Sequence, residues 1–220
     1  MKLSIVIPAY NEQDTIKEVV EEAFKHFPDA EIVVINDHST DKTFSKLMEI
    51  MGSDLKILNN NKNLGHARSL LKGLKFASGE YILYTDADNQ IKIEDMYFNP
   101  NYDLISGYRE HRQDKFFRKV ISFILKLTIF VRHGLWIKDA NCPFKLFKRE
   151  RLEFLMALLK DNSVVPSISM EILARKYGLK TLDIPIDHHP YIKERKGTLQ
   201  SLNAKSIKIF WEAFKEVLNP

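Results

Sequence analysis

Short apolar runs that stop at a polar cluster, each followed by a stretch of helical period, recur four times along the first part of the chain. Leu3 to Ile7 is halted by Pro8, Glu31 to Ile35 runs into Asn36-Asp37, Leu55 to Leu58 gives way to asparagines, and Tyr81 to Thr85 leads into Asp86-Ala87-Asp88. The β-branched residues in these runs suit strands buried on both faces. Between them, Ile16, Val19, Val20, Ala23, Phe24 and Phe27 recur at helical spacing behind Asn11 and Asp14, which read as a cap. Phe44, Leu47, Met48 and Met51 do so behind Ser39 or Thr40, the expected cap of a second helix. Asn63-Leu64-Gly65 opens a third helix through Ala67, Leu70, Leu71, Leu74 and Ala77, broken by Ser78-Gly79. Repeated strand–helix alternation predicts an α/β fold with a doubly wound, mostly parallel sheet. Such sheets bind ligands at the carboxyl ends of their strands. Three polar clusters fall there: Pro8 to Glu12, Asn36 to Asp41, and Asp86 to Gln90.

The remaining chain is patterned differently. Strands are expected at Leu104 to Gly107, Phe144 to Phe147 and Leu182 to Ile186, and helices at Asp114 to Arg132, Arg151 to Leu159, Ser167 to Tyr177 and Ser201 to Leu218. The chain of 220 residues suits one domain. A net charge of +4 is too mild for a nucleic-acid partner but fits a phosphate-bearing substrate or an anionic membrane face. The single cysteine, Cys142, excludes an internal disulfide and makes a reducing compartment the default. The N-terminus does not read as a signal peptide, and no apolar stretch is long enough to span a bilayer, so the expectation is a chain that is soluble or lies on a membrane.

Asp86 and Asp88 sit two apart where a strand ends, a spacing that aims both carboxylates to one side. They repel each other unless a cation lies between them, and hard oxygen ligands favour Mg2+ or Mn2+ shared with substrate phosphates. Gln90 continues the spacing. A solvated acidic turn capping a helix near Ile93 is the alternative. Asp37 suits recognition of ribose or base, with helix capping as its alternative. Neither a G-x-G-x-x-G nor a P-loop sequence occurs, which weighs against a dinucleotide or P-loop site. Along Asp114 to Arg132, Lys115, Lys119, Ser122 and Lys126 form a polar stripe on an otherwise apolar helix. That pattern fits a helix lying in an anionic membrane interface, or else a core or homodimer helix. His188 and His189 are adjacent, so they are weaker metal candidates, and Cys142 has no evident activating partner.

Ser4-Ile5-Val6-Ile7-Pro8-Ala9-Tyr10-Asn11-Glu12, Ile32 to Asp41, Asn63-Leu64-Gly65 with Ala67, and Gly79-Glu80-Tyr81 leading to Asp86-Ala87-Asp88 resemble the family 2 inverting glycosyltransferases of the GT-A fold. Gly107-Tyr108-Arg109, Arg118 with Ile121-Ser122, Asp139 to Lys145, Glu171, Ile184-Pro185-Ile186 and Arg195 with Gly197 are most similar to the polyprenyl-phosphate branch, the dolichyl-phosphate mannose synthase type. The resemblance implies a single domain whose residues 1–100 bind the nucleotide-sugar and whose residues 101–220 bind the acceptor, with an interfacial helix at 114–132. It implies donor contacts from Pro8, Ala9, Tyr10, Glu12, Ile35, Asp37, Asp86, Ala87, Asp88 and Gln90. It implies a metal, Mg2+ or Mn2+, on Asp86, Asp88 and Gln90, and acceptor phosphate at Arg118 and Arg195. Asp88, Asp139, Arg109 and Arg195 would stand closest to the chemistry. Asn36 and His38 replace an acidic residue and a glycine usual in the family, and the loop Arg195 to Thr198 is shorter than usual. The implied reaction moves a sugar from a GDP- or UDP-sugar to a polyprenyl phosphate at the inner face of the cell membrane. The alternative is a hydroxyl acceptor with Asp139 as base. A nucleotidyltransferase and a non-catalytic binding module fit the same carboxylates less well.

Overall fold

The computed structural model describes residues 2–50, 54–110, 116–189 and 204–220. Strands β1 (Leu3–Ala9), β2 (Glu31–Asn36), β3 (Leu55–Asn59) and β4 (Tyr81–Tyr84) alternate with helices α1 (Ile16–His26), α2 (Thr43–Met48) and α3 (His66–Phe76). There follow β5 (Leu104–Arg109), α4 (Phe116–His133), β6 (Lys145–Lys148), α5 (Arg149–Leu158), α6 (Pro166–Lys176), β7 (Thr181–Ile186) and α7 (Ala204–Leu218). Among the described residues all seven strands join one sheet in the order β3-β2-β1-β4-β6-β5-β7. It is parallel except for β6, which runs antiparallel to β4 and β5.

Both faces of the sheet are covered, so the central strands are apolar on both sides. Ile5, Ile7, Ile32 and Val34 face α1, while Val6, Val33 and Ile35 face Leu70 and Leu74 of α3. Gly73 lets α3 approach closely, because a Cβ there would collide with Ile35 and Val6. A third cluster gathers Ile129 of α4, Ile137, Ile168 and Ile172 of α6, and Val217 of α7.

Two expected caps are not caps. α1 starts at Ile16, and α2 at Thr43, where the Asp41 carboxylate accepts from the Thr43 amide at 2.9 Å. Asn11 and His38 adopt positive φ, 57° and 60°, and turn the chain sharply after β1 and β2. Their neighbours bridge the two turns instead: the Thr40 amide donates to the Asn11 side chain at 2.8 Å, and the Asn11 amide to Ser39 Oγ at 3.1 Å. Near Ile93, where the alternative reading of Asp86 and Asp88 places a capped helix, there is a single 3-10 turn, Ile93–Asp95.

α4 is apolar on more than one side. Leu125 and Ile129 pack inward, whereas Phe123, Ile124, Leu127, Phe130 and Val131 are exposed, Val131 at 77%. The expected stripe falls partly beyond view: Lys115 lies outside the described residues, as does the Lys119 side chain. Among the described residues no helix is long and apolar enough to cross a membrane.

Candidate functional site

The turns after β1, β2 and β4 meet along one edge of the sheet. Pro8 and Ala9 are the last residues of β1 and are buried, Tyr10 is 45% exposed, and Glu12 is buried. The Glu12 amide donates to Thr43 Oγ1 at 2.7 Å, and the Thr15 hydroxyl donates to the Ala87 carbonyl at 2.7 Å. The last bond fastens the β1 turn to the aspartate turn. Ile35 is wholly buried beneath α3, so its side chain supports the site from below. Asp37, also buried, accepts from Asn60 Nδ2, the Leu64 amide and the Gly65 amide, each at 2.8 Å. Its carboxylate therefore fixes the loop that enters α3, a job that the sequence did not suggest.

Asp86 and Asp88 follow β4 and face a cavity of about 290 Å³ lined also by His66, Tyr84, Gln90, Arg109, Asn141, Pro143 and His188. One oxygen of Asp86 accepts from the Tyr84 hydroxyl at 3.1 Å and lies 3.0 Å from His66 Nε2. Asp88 accepts from the Gln90 amide at 3.2 Å. Burial, reinforced by the charge of Asp86, pushes the Asp88 carboxyl up to about 7. Two carboxylates that resist joint ionisation form a donor set that a hard divalent cation relieves.

Gln90 is tied to the segment after β7: its side-chain nitrogen donates to the His189 carbonyl at 3.1 Å, and its own carbonyl accepts from the His189 amide at 2.8 Å. That pairing turns buried His188 into the cavity and leaves His189 exposed. Adjacent residues of an extended segment point opposite ways, so one histidine of the two faces the cavity. Among the described residues, the set of three ligand-type side chains gathered within 4.8 Å is elsewhere, at Glu22, His26 and Glu94. There the Lys92 ammonium already lies against Glu22 at 3.3 Å.

The far wall comes from the second half of the chain. Arg109, at the end of β5, grips Asp139 with Nε at 2.7 Å and Nη2 at 3.0 Å, both side chains being more than nine-tenths buried. Asp139 thus orients a guanidinium. Beneath it, wholly buried Lys145 donates to the carbonyls of Ala140 (3.1 Å) and Cys142 (2.7 Å) and pairs with Glu171 at 3.2 Å. Arg175 joins Glu171 at 3.0 Å and also Asp183. Burial pushes the Cys142 thiol up to about 12, which suits it to packing and not to nucleophilic attack. Arg195 lies outside the described residues, and so does the side chain of Arg118.

Comparison with known proteins finds that residues 4–155 match the family described as glycosyl transferase family 2. The undecaprenyl-phosphate 4-deoxy-4-formamido-L-arabinose transferase of Enterobacter sp. (strain 638) is 27% identical, over 85% of this chain and 59% of that protein. The protein of the same name from Sodalis glossinidius is 28% identical, over 85% of this chain and 60% of its own length. The chain thus spans about three fifths of the length of these curated relatives. Among solved structures, glucosyl-3-phosphoglycerate synthase from Mycobacterium tuberculosis, in complex with Mn2+, uridine diphosphate and glucosyl-3-phosphoglycerate, superposes with a TM-score of 0.70 at 17% identity, covering 100% of this chain and 81% of that one. A mannosyltransferase from Pyrobaculum calidifontis in complex with GDP-Man and Mn2+ gives 0.62 at 18% identity, covering 99% and 72%. At these identities the structural likeness shows a shared fold, the GT-A arrangement expected from sequence.

Proposed function

The chain belongs to glycosyl transferase family 2, and from that premise we propose that it is a metal-dependent inverting glycosyltransferase that moves a sugar from a nucleotide-sugar to a polyprenyl phosphate. Asp86 and Asp88 would hold the divalent cation, with His188 and Gln90 beside them. When bound, Mg2+ or Mn2+ supplies positive charge against the leaving nucleoside diphosphate. The edge formed by Pro8, Ala9, Tyr10, Glu12, Asp37 and Ala87 holds the nucleotide. Asp37 acts there chiefly by fixing the loop at Leu64 and Gly65. Arg109 presents a planar fork of donors to phosphate oxygens, and Asp139 keeps that fork in place.

The Arg109–Asp139 pair is the observation that carries the choice of acceptor. A hydroxyl acceptor needs a base to take its proton, and a carboxylate engaged at both oxygens by a guanidinium is poorly placed for that. A phosphate monoester is already anionic near neutral pH and attacks the anomeric carbon in line without such help. The names of the curated relatives, which act on undecaprenyl phosphate, point the same way. The exposed apolar face of α4 would rest on the inner face of the cell membrane, where such an acceptor resides. Its other use, as a homodimer interface, is separable by measuring the mass of the protein in solution.

A panel of GDP- and UDP-sugars, supplied with Mn2+ and vesicles containing polyprenyl phosphate, tests the reading. The expected product is a lipid-linked sugar of inverted anomeric configuration. Transfer to a glycan hydroxyl alone, abolished by Asp139→Asn, would replace it with the hydroxyl-acceptor reaction.

A further inference from the structure

A second cavity lies beside the first, between α4 and the segment 137–141. It measures about 160 Å³ and is lined by Ser122, Phe123, Leu125, Lys126, Ile137, Lys138, Asp139, Ala140 and Asn141. That is several times the share of one water molecule, about 30 Å³. It falls well below the roughly 300 Å³ at which pockets for drug-sized ligands begin. Asn141 lines both cavities, and the Arg109–Asp139 pair stands between them. A group seated in the smaller cavity is therefore next to the larger one.

Its charge is unusual for so small a space. Lys126 Nζ sits 4.1 Å from the centre of the Trp136 ring, and Lys138 Nζ sits 4.0 Å from that of Tyr108. Trp136 is braced in turn by Phe130, edge to face at 5.5 Å. Stacking on an aromatic face restrains a lysine that would otherwise sample many rotamers, and it leaves the ammonium protons on the other side for a ligand. The carboxylate on the cavity wall, Asp139, is matched by Arg109. Among the described residues neither lysine has a carboxylate partner. The cavity is thus lined by two lysines whose ammonium groups are restrained on neighbouring rings, together with a hydroxyl and an amide, Ser122 and Asn141. Its outer rim is Phe123, which is 61% exposed and continues into the bare apolar face of Ile124 and Leu127.

We propose that this cavity seats the phosphate of the acceptor, with Lys126 and Lys138 as the residues that select a phosphate monoester and Phe123 as the first contact of its chain. The inference rests on the reading of the protein as a glycosyltransferase to phosphate acceptors. Once seated, a phosphate oxygen faces the donor cavity past Asn141. It forms the bond to the anomeric carbon as the bond to the nucleoside diphosphate breaks, and the electron pair leaves with the diphosphate. The ligand chemistry is shared by lipid phosphates and small soluble phosphates, and the apolar rim distinguishes them.

Lys126→Gln and Lys138→Gln, assayed with a short water-soluble prenyl phosphate, should each raise the acceptor KM about tenfold, the worth of one hydrogen bond to a charged group. The donor KM should stay constant, and Lys→Arg at either position should restore most of the loss. A parallel arm uses glycerol phosphate. If the prenyl compound is preferred and Phe123→Ser removes that preference, the seat serves a lipid phosphate. If both are used equally and Phe123→Ser changes nothing, it serves a soluble one. A wild-type enzyme that uses these phosphates while both Gln variants keep its acceptor KM overturns the seat but leaves the glycosyltransferase reading intact. A wild type that uses no phosphate acceptor overturns both. A second measurement does not depend on the stability of the lysine variants. In a Trp211→Phe background, acceptor phosphate should perturb Trp136 fluorescence by bringing negative charge against the ammonium stacked on that ring, and an unchanged spectrum at saturating acceptor contradicts the proposal.

Discussion

Along the edge formed by β1, β2 and β4, the carboxylates are held mainly by neutral groups: Asp37 accepts from two amides and an asparagine, and Asp86 from a tyrosine hydroxyl, with the His66 imidazole 3.0 Å away. Across β5, β6 and β7 they are held by cations: Asp139 by Arg109, Glu171 by Lys145 and Arg175, and Asp183 by Arg175. Neutral donors fix a carboxylate without cancelling its charge, so the first edge stays negative and suits a cation and what that cation carries. Ion pairs fix a cation and cancel the carboxylate, so the second half can aim Arg109 at an anionic substrate. On the proposed reading, one half of the sheet would hold the donor through a metal, and the other would hold the acceptor through positive charge.

The sharpest break of this contrast comes from Lys145→Met. Removing the cation leaves Glu171 buried with Arg175 alone and frees the carbonyls of Ala140 and Cys142. The loss of stability should be about 3–5 kcal/mol, the usual cost of orphaning one partner of a buried pair, read by chemical denaturation. A loss under about 1 kcal/mol, the scale of an exposed pair, would mean that the buried ion pair does not support this half.

Next in size is the double substitution Phe123→Glu with Phe130→Glu. Burial of each phenylalanine in lipid is worth about 1.5–3 kcal/mol, so the pair should carry the protein off anionic vesicles in a sedimentation assay while its melting temperature holds. Unfolding would place this face in the core, and dissociation of a dimer would make it an oligomer interface.

Asp37→Ala should cost less, about 1–3 kcal/mol, because neutral amides are left behind instead of a buried charge. It should also weaken nucleoside diphosphate binding by loosening the turn at Gly65. If it destabilises the protein more than Lys145→Met does, the contrast between the two halves fails.

The pH dependence needs no substitution to be read. The Asp88 carboxyl titrates at about 7 when folded, against 3.8 as a free side chain, so the folded state holds that proton more tightly. Stability without metal should therefore fall as pH rises from 3.8 to about 7, and Mn2+ affinity should rise over the same window because binding displaces the proton. A metal affinity that is flat across this range would take Asp88 out of the cation site.

Much of the donor edge was legible because strand period and strand end are local properties. A β-branched run followed by Asp-x-Asp fixes where the carboxylates emerge, and Asp86 and Asp88 emerge there. The helix caps were misread because Asn11, Ser39 and Thr40 bond across two turns, 28 or 29 residues apart in sequence, and local spacing carries no trace of such bonds. The acceptor half was harder for the same reason. Arg109 and Asp139 are 30 residues apart, and Lys145 reads as a surface residue until β6 buries it between β4 and β5. His188 gained its place through a pairing of residues 90 and 189. The periodicity of α4 did announce an amphipathic helix, but not that Leu125 and Ile129 would be its inner side.

Calorimetric titration with a nucleoside diphosphate, with and without Mn2+, tests most directly whether the strand-end aspartates hold the donor. Wild type should bind at least about tenfold more tightly with Mn2+, and Asp88→Asn should lose that gain while melting no lower than wild type. If Asp88→Asn binds the nucleotide as tightly as wild type does and with the same response to Mn2+, the Asp86–Asp88 pair is not the donor site.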